Sequence, residues 1–335
     1  MPLSNYPGGF PGGLTVRGLP VQQSHPGKVF WVGNASNSVT AYTTEGGVTG
    51  SDGNPGTYQK PFATIDYAIG KCTAGRGDIV LVMPGHAESI STTTFALAGI
   101  SQDVDNVAVI GLGTAGSRPT ITLDTDVDAT WSVTGDYCTI SNLIFTGNFL
   151  SVKSAITNSG GAGMTVENCL FQDTTAIKGL LAAVTTTVTV NADDLWVAGN
   201  TRYSIATTTP GTLVVIVGTI AGLTIKDNFC VHGVVENNKA ILLEHGALVV
   251  TKLLMENNTC YSINTAQTTQ GFLVTTSATT GSGIIRHNLV RSQDPSAAIM
   301  ITPAAVQYGA FENYHTGETT QLSGIILPAV ATDSS

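Results

Sequence analysis

From residue 29 onward the chain alternates short apolar runs with polar breaks rich in Gly, Asn, Ser and Thr. VFWVG (29–33) reads as a strand, and a Gly/Ser/Asn/Thr loop follows to about residue 58. PFATIDYAIGKC then places Phe62, Ile65, Ala68 and Ile69 at helical spacing, the one helix that the pattern predicts. RGDIVLVMPG comes next, a continuous apolar strand closed by a turn. A short helix ahead of a long series of strands reads as a plug, because the first coil of a strand solenoid exposes a sheet edge and an apolar bore.

The series of strands repeats. MTVENCLFQD (164–173), LTIKDNFCVH (223–232), LLMENNTCYS (253–262) and GIIRHNLVRS (283–292) align, and ISNLIFTG (140–147), LWVAGNTRYS (195–204) and YGAFENYHTG (308–317) fit more loosely. Each holds a short apolar strand, polar residues with an Asn, and a second strand. The aligned asparagines are Asn142, Asn168, Asn200, Asn228, Asn258, Asn288 and Asn313, spaced by 26, 32, 28, 30, 30 and 25 residues. Self-similarity at such a period marks a solenoid. Asn adopts the left-handed conformation at small cost, which permits a sharp bend. In coils stacked at about 4.8 Å its amides can form a hydrogen-bonded ladder. A β-sandwich would alternate over longer runs, with turns every 8–12 residues or so, and units this rich in Thr, Val and Gly supply no helix for a helical repeat. The expected fold is all-β: a right-handed parallel β-helix over 99–320, a capping region with the short helix over 29–98, an extended arm over 1–28 and a tail over 321–335.

The arm shows neither a helical nor a strand period: YPGGFPGG is followed by LTVRGLPV. It nevertheless carries Tyr6, Phe10, Leu14, Val16 and Leu19, more apolar surface than a solvated tail usually has. The arm is therefore expected to order against a partner, with Tyr6 and Phe10 as anchors and Arg17 reaching an acidic group.

Charged residues make up 11% of the chain, against roughly 25% in ordinary soluble proteins. Flanks with so little charge fit a chain covered by other subunits. The net charge of −9 and the scatter of the 14 basic residues argue against a nucleic-acid partner. No apolar stretch of roughly 18 residues predicts a membrane span. MPLSNYPGGFPGG lacks the basic-then-apolar order of a signal peptide. Cys72, Cys138, Cys169, Cys230 and Cys260 form no CxxC and no Cys/His metal spacing, and read as small packing thiols of a chain made in a reducing cytosol.

Candidate chemistry is sparse. Asp124, Asp126 and Asp128 have the alternation of an oxygen-rich cation loop but lack the glycine and distal glutamate of an EF-hand. His86 beside Glu88 has acid–base potential, yet lies near the plugged end, where capping is the simpler role. Asp193–Asp194, Glu244–His245 and Arg286–His287 are neighbours whose side chains diverge on a strand. A glycosidase needs two carboxyl groups roughly 5–9.5 Å apart. Glu167, Asp227, Glu256 and Glu312, near the repeated Asn, read as a ladder of solvated turn residues. No catalytic residue, metal or cofactor is assigned from the sequence, and no enzyme activity is expected.

GTYQKPFATIDYAIGKCTAGRGDIVLVMPGHAE, together with an arm ending near LPVQQSHPGKVFWV, resembles a group of tailed-bacteriophage virion proteins with tailspike-like β-helices. The likeness covers residues 20–90 and is architectural beyond them. It implies a structural role in a virion, assembly in the host cytoplasm and a homotrimer, with the major capsid protein or other virion proteins as partners. Within that class the short chain, the 7% aromatic content and the separation of Trp31, Trp131 and Trp196 favour a capsid decoration (cement) protein. The alternative is a tailspike or receptor-binding protein that grips or cleaves a host surface polysaccharide.

Overall fold

The computed structural model describes residues 14–16, 19–22, 27–33, 48–91, 99–187, 192–205, 211–233, 241–246, 249–262, 274–276, 280–292, 300–301, 306–317 and 324–325. One coil shows how the sequence becomes a solenoid. Thr139–Ser141 forms a strand, Asn142 turns the chain at φ 58°, and Ile144–Gly147 forms the second strand. After a longer loop Ile156–Asn158 makes the third side. Thr165–Glu167 then opens the next coil and lies parallel on the first strand, Thr139 against Thr165 and Ile140 against Val166. Among the described residues repetition of this path builds three sheets of eleven, ten and eight strands, here called sheets 1, 2 and 3, the last strand of sheet 2, Gly324–Ile325, being the one that pairs antiparallel. The chain is a parallel β-helix.

Each strand is two-faced, so alternate residues line the bore. In sheet 1 Val109, Ile140, Val166, Val197, Ile225 and Met255 are register partners from coil to coil and are all fully buried. Most are β-branched, the side chains that pack best on a pleated surface. In sheet 2 the inward column runs Ile121, Phe145, Phe171, Arg202, Cys230, Cys260 and Val290. Phe145 and Phe171 stack at 5.1 Å between centroids and 12° between planes.

The helix α1, Ile65–Ile69, is the predicted cap. Its Thr64 N-cap hydroxyl accepts from the Tyr67 N–H at 3.4 Å, which satisfies one donor that the helix itself leaves open. Ile65, Ala68 and Ile69 are fully buried. The helix packs on Val29–Val32 and Ile79–Val82 of sheet 1 and on Ile100–Gln102, the first strand of sheet 3. There Asp66 Oδ1 accepts from the Ser101 N–H at 2.9 Å, so the open edge of sheet 3 meets a helix side chain.

The N-terminal segment departs from its reading as period-free. Leu14–Val16 and Leu19–Gln22 pair antiparallel, Val16 opposite Leu19. Strands of three and four residues are too short to declare a period in sequence. Tyr6, Phe10 and Arg17 lie outside the described residues. The stretch 29–98 contains the first strands of sheets 1 and 2 as well as the helix.

Candidate functional site

The corner between sheets 1 and 2 organises the outer surface. The seven asparagines aligned in sequence occupy two different places at this corner. Asn142 and Asn168 hold the left-handed turn position itself, at φ 58° and 55°, and the following residues, Leu143 and Cys169, point into the core. In the later coils that turn position belongs to Gly199, Asp227, Asn257, His287 and Glu312, all at positive φ. Asn200, Asn228, Asn258, Asn288 and Asn313 come one residue later and are buried. The bend in those coils is therefore made by the preceding residue, which corrects the expectation that these asparagines supply the left-handed conformation. Their amides instead connect the coils. Asn258 Oδ1 accepts from the Asn228 N–H at 3.0 Å and from Asn228 Nδ2 at 2.9 Å. Asn258 Nδ2 donates to Asn288 Oδ1 at 2.8 Å and to the Ile225 carbonyl at 2.9 Å. The same pattern links Asn200 to Asn228 and Asn288 to Asn313, and the Cys169 N–H closes the series on Asn200 Oδ1 at 2.9 Å.

On the sheet 2 side of this corner, three aromatic side chains from successive coils share the outer face. Tyr203 and Phe229 lie 6.4 Å apart in an edge-to-face pair, and Phe229 lies 5.5 Å from Tyr261. Tyr203 is 41% and Phe229 36% exposed, a large apolar area to leave in water. The Arg291 guanidinium lies 5.9 Å from the Tyr261 ring centroid and ends the stripe with a cation.

On the sheet 1 side the corner carries ions. Glu256 takes Arg286 Nη2 at 2.9 Å, Lys226 Nζ at 3.7 Å and His287 Nδ1 at 3.7 Å, and His287 Nε2 meets Glu312 Oε2 at 2.6 Å. Arg286 and His287 were expected to diverge as strand neighbours. The left-handed turn at His287 takes it off the strand, and both reach the same carboxylate. Glu167 and Glu256 occupy the same register column as Lys226 and Arg286, whereas Asp227 and Glu312 sit at the turn, so the four carboxylates form no single ladder.

The other candidates are engaged locally. His86 Nε2 lies 3.1 Å from Glu88 Oε2, and the same oxygen accepts from the Ile65 N–H at 3.0 Å, which ties the pair to the start of α1. Asp124 Oδ1 accepts from the Thr125 N–H and Asp126 Oδ1 from the Asp128 N–H, while Asp128 pairs with Lys153. These three carboxylates follow the Thr120–Leu123 strand and do not converge. Among the described residues no group of three His, Cys, Asp or Glu side chains is placed to hold a metal ion. The five cysteines are free, and burial pushes the Cys138 thiol up to about 11 and those of Cys169 and Cys230 up to about 12.

One cluster has no counterpart among the residues singled out from the sequence. Inside the bore Arg202 Nη2 donates to Asp173 Oδ1 and to the Leu180 carbonyl, both at 2.9 Å. Asp173 also accepts from the Leu180 and Ile205 N–H groups. Next to them, in register with Ser204 and Ser262, lies the buried His232. Alternation counted from the Asn would have exposed this cluster, because it puts an Arg and a His at inward positions.

A scan against models of known protein families finds no match, and no curated protein sequence matches. Two solved structures are similar. A rhamnogalacturonan lyase shares 13% identity over 81% of this chain and 71% of its own, with a TM-score of 0.40. An alginate lyase from Paenibacillus sp. str. FPU-7 shares 9% identity over 74% of this chain and 96% of its own, with a TM-score of 0.30. The expectation that the chain is not an enzyme is corrected by this finding, since both similar structures are polysaccharide lyases. At these identities the likeness concerns the fold and assigns no reaction to this chain.

Proposed function

We propose that the protein is a polysaccharide-binding β-helix of a bacteriophage particle, of the tailspike or receptor-binding type. The observation that carries this reading is the Tyr203–Phe229–Tyr261 stripe closed by Arg291. Aromatic rings that stay exposed offer flat apolar faces for sugar rings while their edges and a neighbouring cation engage polar substituents. The preference for capsid decoration leaned on the short chain, the 7% aromatic content and the separation of the three tryptophans; the stripe is built from other aromatics, Tyr203, Phe229 and Tyr261. The test is titration of the full-length protein with a panel of bacterial surface polysaccharides. Phe229→Ala or Tyr261→Ala should weaken binding about tenfold, or ~1.4 kcal/mol. Tyr137→Ala, at a 63% exposed ring outside the stripe, should leave binding unchanged. No binding to any polysaccharide, or equal binding by all variants, would remove the reading.

A second reading is a capsid decoration protein, a homotrimer held on the major capsid protein through the arm at Tyr6, Phe10 and Arg17. It is favoured by the separate two-stranded sheet of Leu14–Val16 and Leu19–Gln22, which among the described residues pairs with none of the solenoid strands, as a docking element outside the solenoid would. Copy number separates the two: hundreds of copies per virion support decoration, and a few trimers support a tail appendage.

A further inference from the structure

The bore changes character at Arg202. Below it the inward column of sheet 2 is filled by Phe145 and Phe171, whereas beyond it come Cys230 and Cys260. The neighbouring column runs Ser204, His232, Ser262. Smaller side chains therefore surround an imidazole that is 1% exposed. Among the described residues neither ring nitrogen of His232 has a hydrogen-bond partner, and neither does Arg202 Nε. A neutral imidazole carries one donor and one acceptor, and leaving such groups unpaired in an apolar interior costs roughly 1–3 kcal/mol each.

We infer that this node is an internal water site, with ordered water bridging the His232 ring nitrogens, the Ser204 and Ser262 hydroxyls and Arg202 Nε. Water fits better than an ion. Asp173 and Arg202 compensate one another at 2.9 Å, and burial keeps His232 neutral, so the node has no net charge to attract an anion. Among the described residues it also lacks the three ligating groups a metal needs. Buried waters typically make about three hydrogen bonds to groups that otherwise lack partners, and this node offers that number. It lies directly beneath the aromatic stripe, since Arg202 and Tyr203 are consecutive on one strand and Arg202 Nη1 donates to the Tyr203 carbonyl at 2.8 Å.

The test is a high-resolution crystal structure of the full chain grown in sodium bromide, with water-oxygen relaxation dispersion in solution beside it. The expected result is ordered water within hydrogen-bonding distance of a His232 ring nitrogen, with no anomalous bromide peak there. In solution His232→Leu should remove at least one long-lived water, and Ser262→Ala serves the same comparison should the first variant fold poorly. A bromide peak at the node, direct protein partners for both ring nitrogens, or an unchanged count of long-lived waters in a folded variant would overturn the inference.

Discussion

Replacing Asn258 with Val removes a side chain of similar width from the centre of the corner ladder. Asn258 is fully buried and makes four side-chain hydrogen bonds, to the Asn228 N–H, Asn228 Nδ2, the Ile225 carbonyl and Asn288 Oδ1. Two of these partners retain other bonds: Asn228 Nδ2 still reaches the Val197 carbonyl, and Asn288 Oδ1 still accepts from the Asn258 N–H. The Asn228 N–H keeps no other partner in this ladder, and an orphaned buried donor costs about 1–3 kcal/mol. The Ile225 carbonyl and the weakened neighbours add about 1 kcal/mol, against a small gain from the apolar Val. The expected loss is about 2–4 kcal/mol in urea unfolding followed by far-ultraviolet circular dichroism. Asn257 next to it is exposed and holds φ 55°, a conformation Gly adopts without strain. Asn257→Gly should therefore melt within about 0.5 kcal/mol of the parent. Equal stability of Asn258→Val and the parent, or a larger loss from Asn257→Gly than from Asn258→Val, would refute the division of labour between the two positions.

Asp173→Asn should cost about 3–5 kcal/mol by leaving the Arg202 charge uncompensated in the bore, read by the same unfolding assay. Burial and the Arg202 charge push the His232 pKa down to about 4, whereas the unfolded chain binds its proton near ~6.5. The stability this group contributes is thus complete above the unfolded value and is lost as pH falls from ~6.5 toward 4, by roughly 3 kcal/mol at the acid end; His245, also pushed down to about 4 by burial, acts in the same sense. A stability profile flat between pH 6.5 and 4 would contradict both placements. Protein beginning at Lys28 should lose occupancy on particles that lack this protein if the arm is the tether, and equal occupancy of full-length and shortened protein would remove the docking role of Tyr6, Phe10 and Arg17.

Much of the architecture is legible in the sequence because parallel coils force the same demands on every repeat. An inward β-branched column, a left-handed turn and a buried Asn recur at the corner, and each leaves its residue type at a repeating interval. Asn142 and Asn168 sit one position earlier in the coil than the other five, since Asn serves both the turn and the ladder and only strand register tells the two apart. The helix was visible because Phe62, Ile65, Ala68 and Ile69 share one period. The aromatic stripe was hidden by coil length: Tyr203, Phe229 and Tyr261 are 26 and 32 residues apart in the chain but lie on three adjacent strands, with Phe229 diagonal to the Tyr203–Val231–Tyr261 column. Placing TRYS, FCVH and TCYS under one another would have revealed it. The Arg202 cluster was missed because composition treats an Arg as a surface residue, and its ion pair with Asp173 bridges two coils.

The proposed function places a polysaccharide on the face of sheet 2 that bears Tyr203, Phe229 and Tyr261. Saturation-transfer NMR with oligosaccharides from a polysaccharide that the protein binds tests it most directly, using protein in which only the tyrosine and phenylalanine rings carry protons. Transfer from these rings to the sugar is expected, and it should drop sharply in a Tyr203→Leu, Phe229→Leu, Tyr261→Leu variant that remains folded. Undiminished transfer in that variant would contradict it.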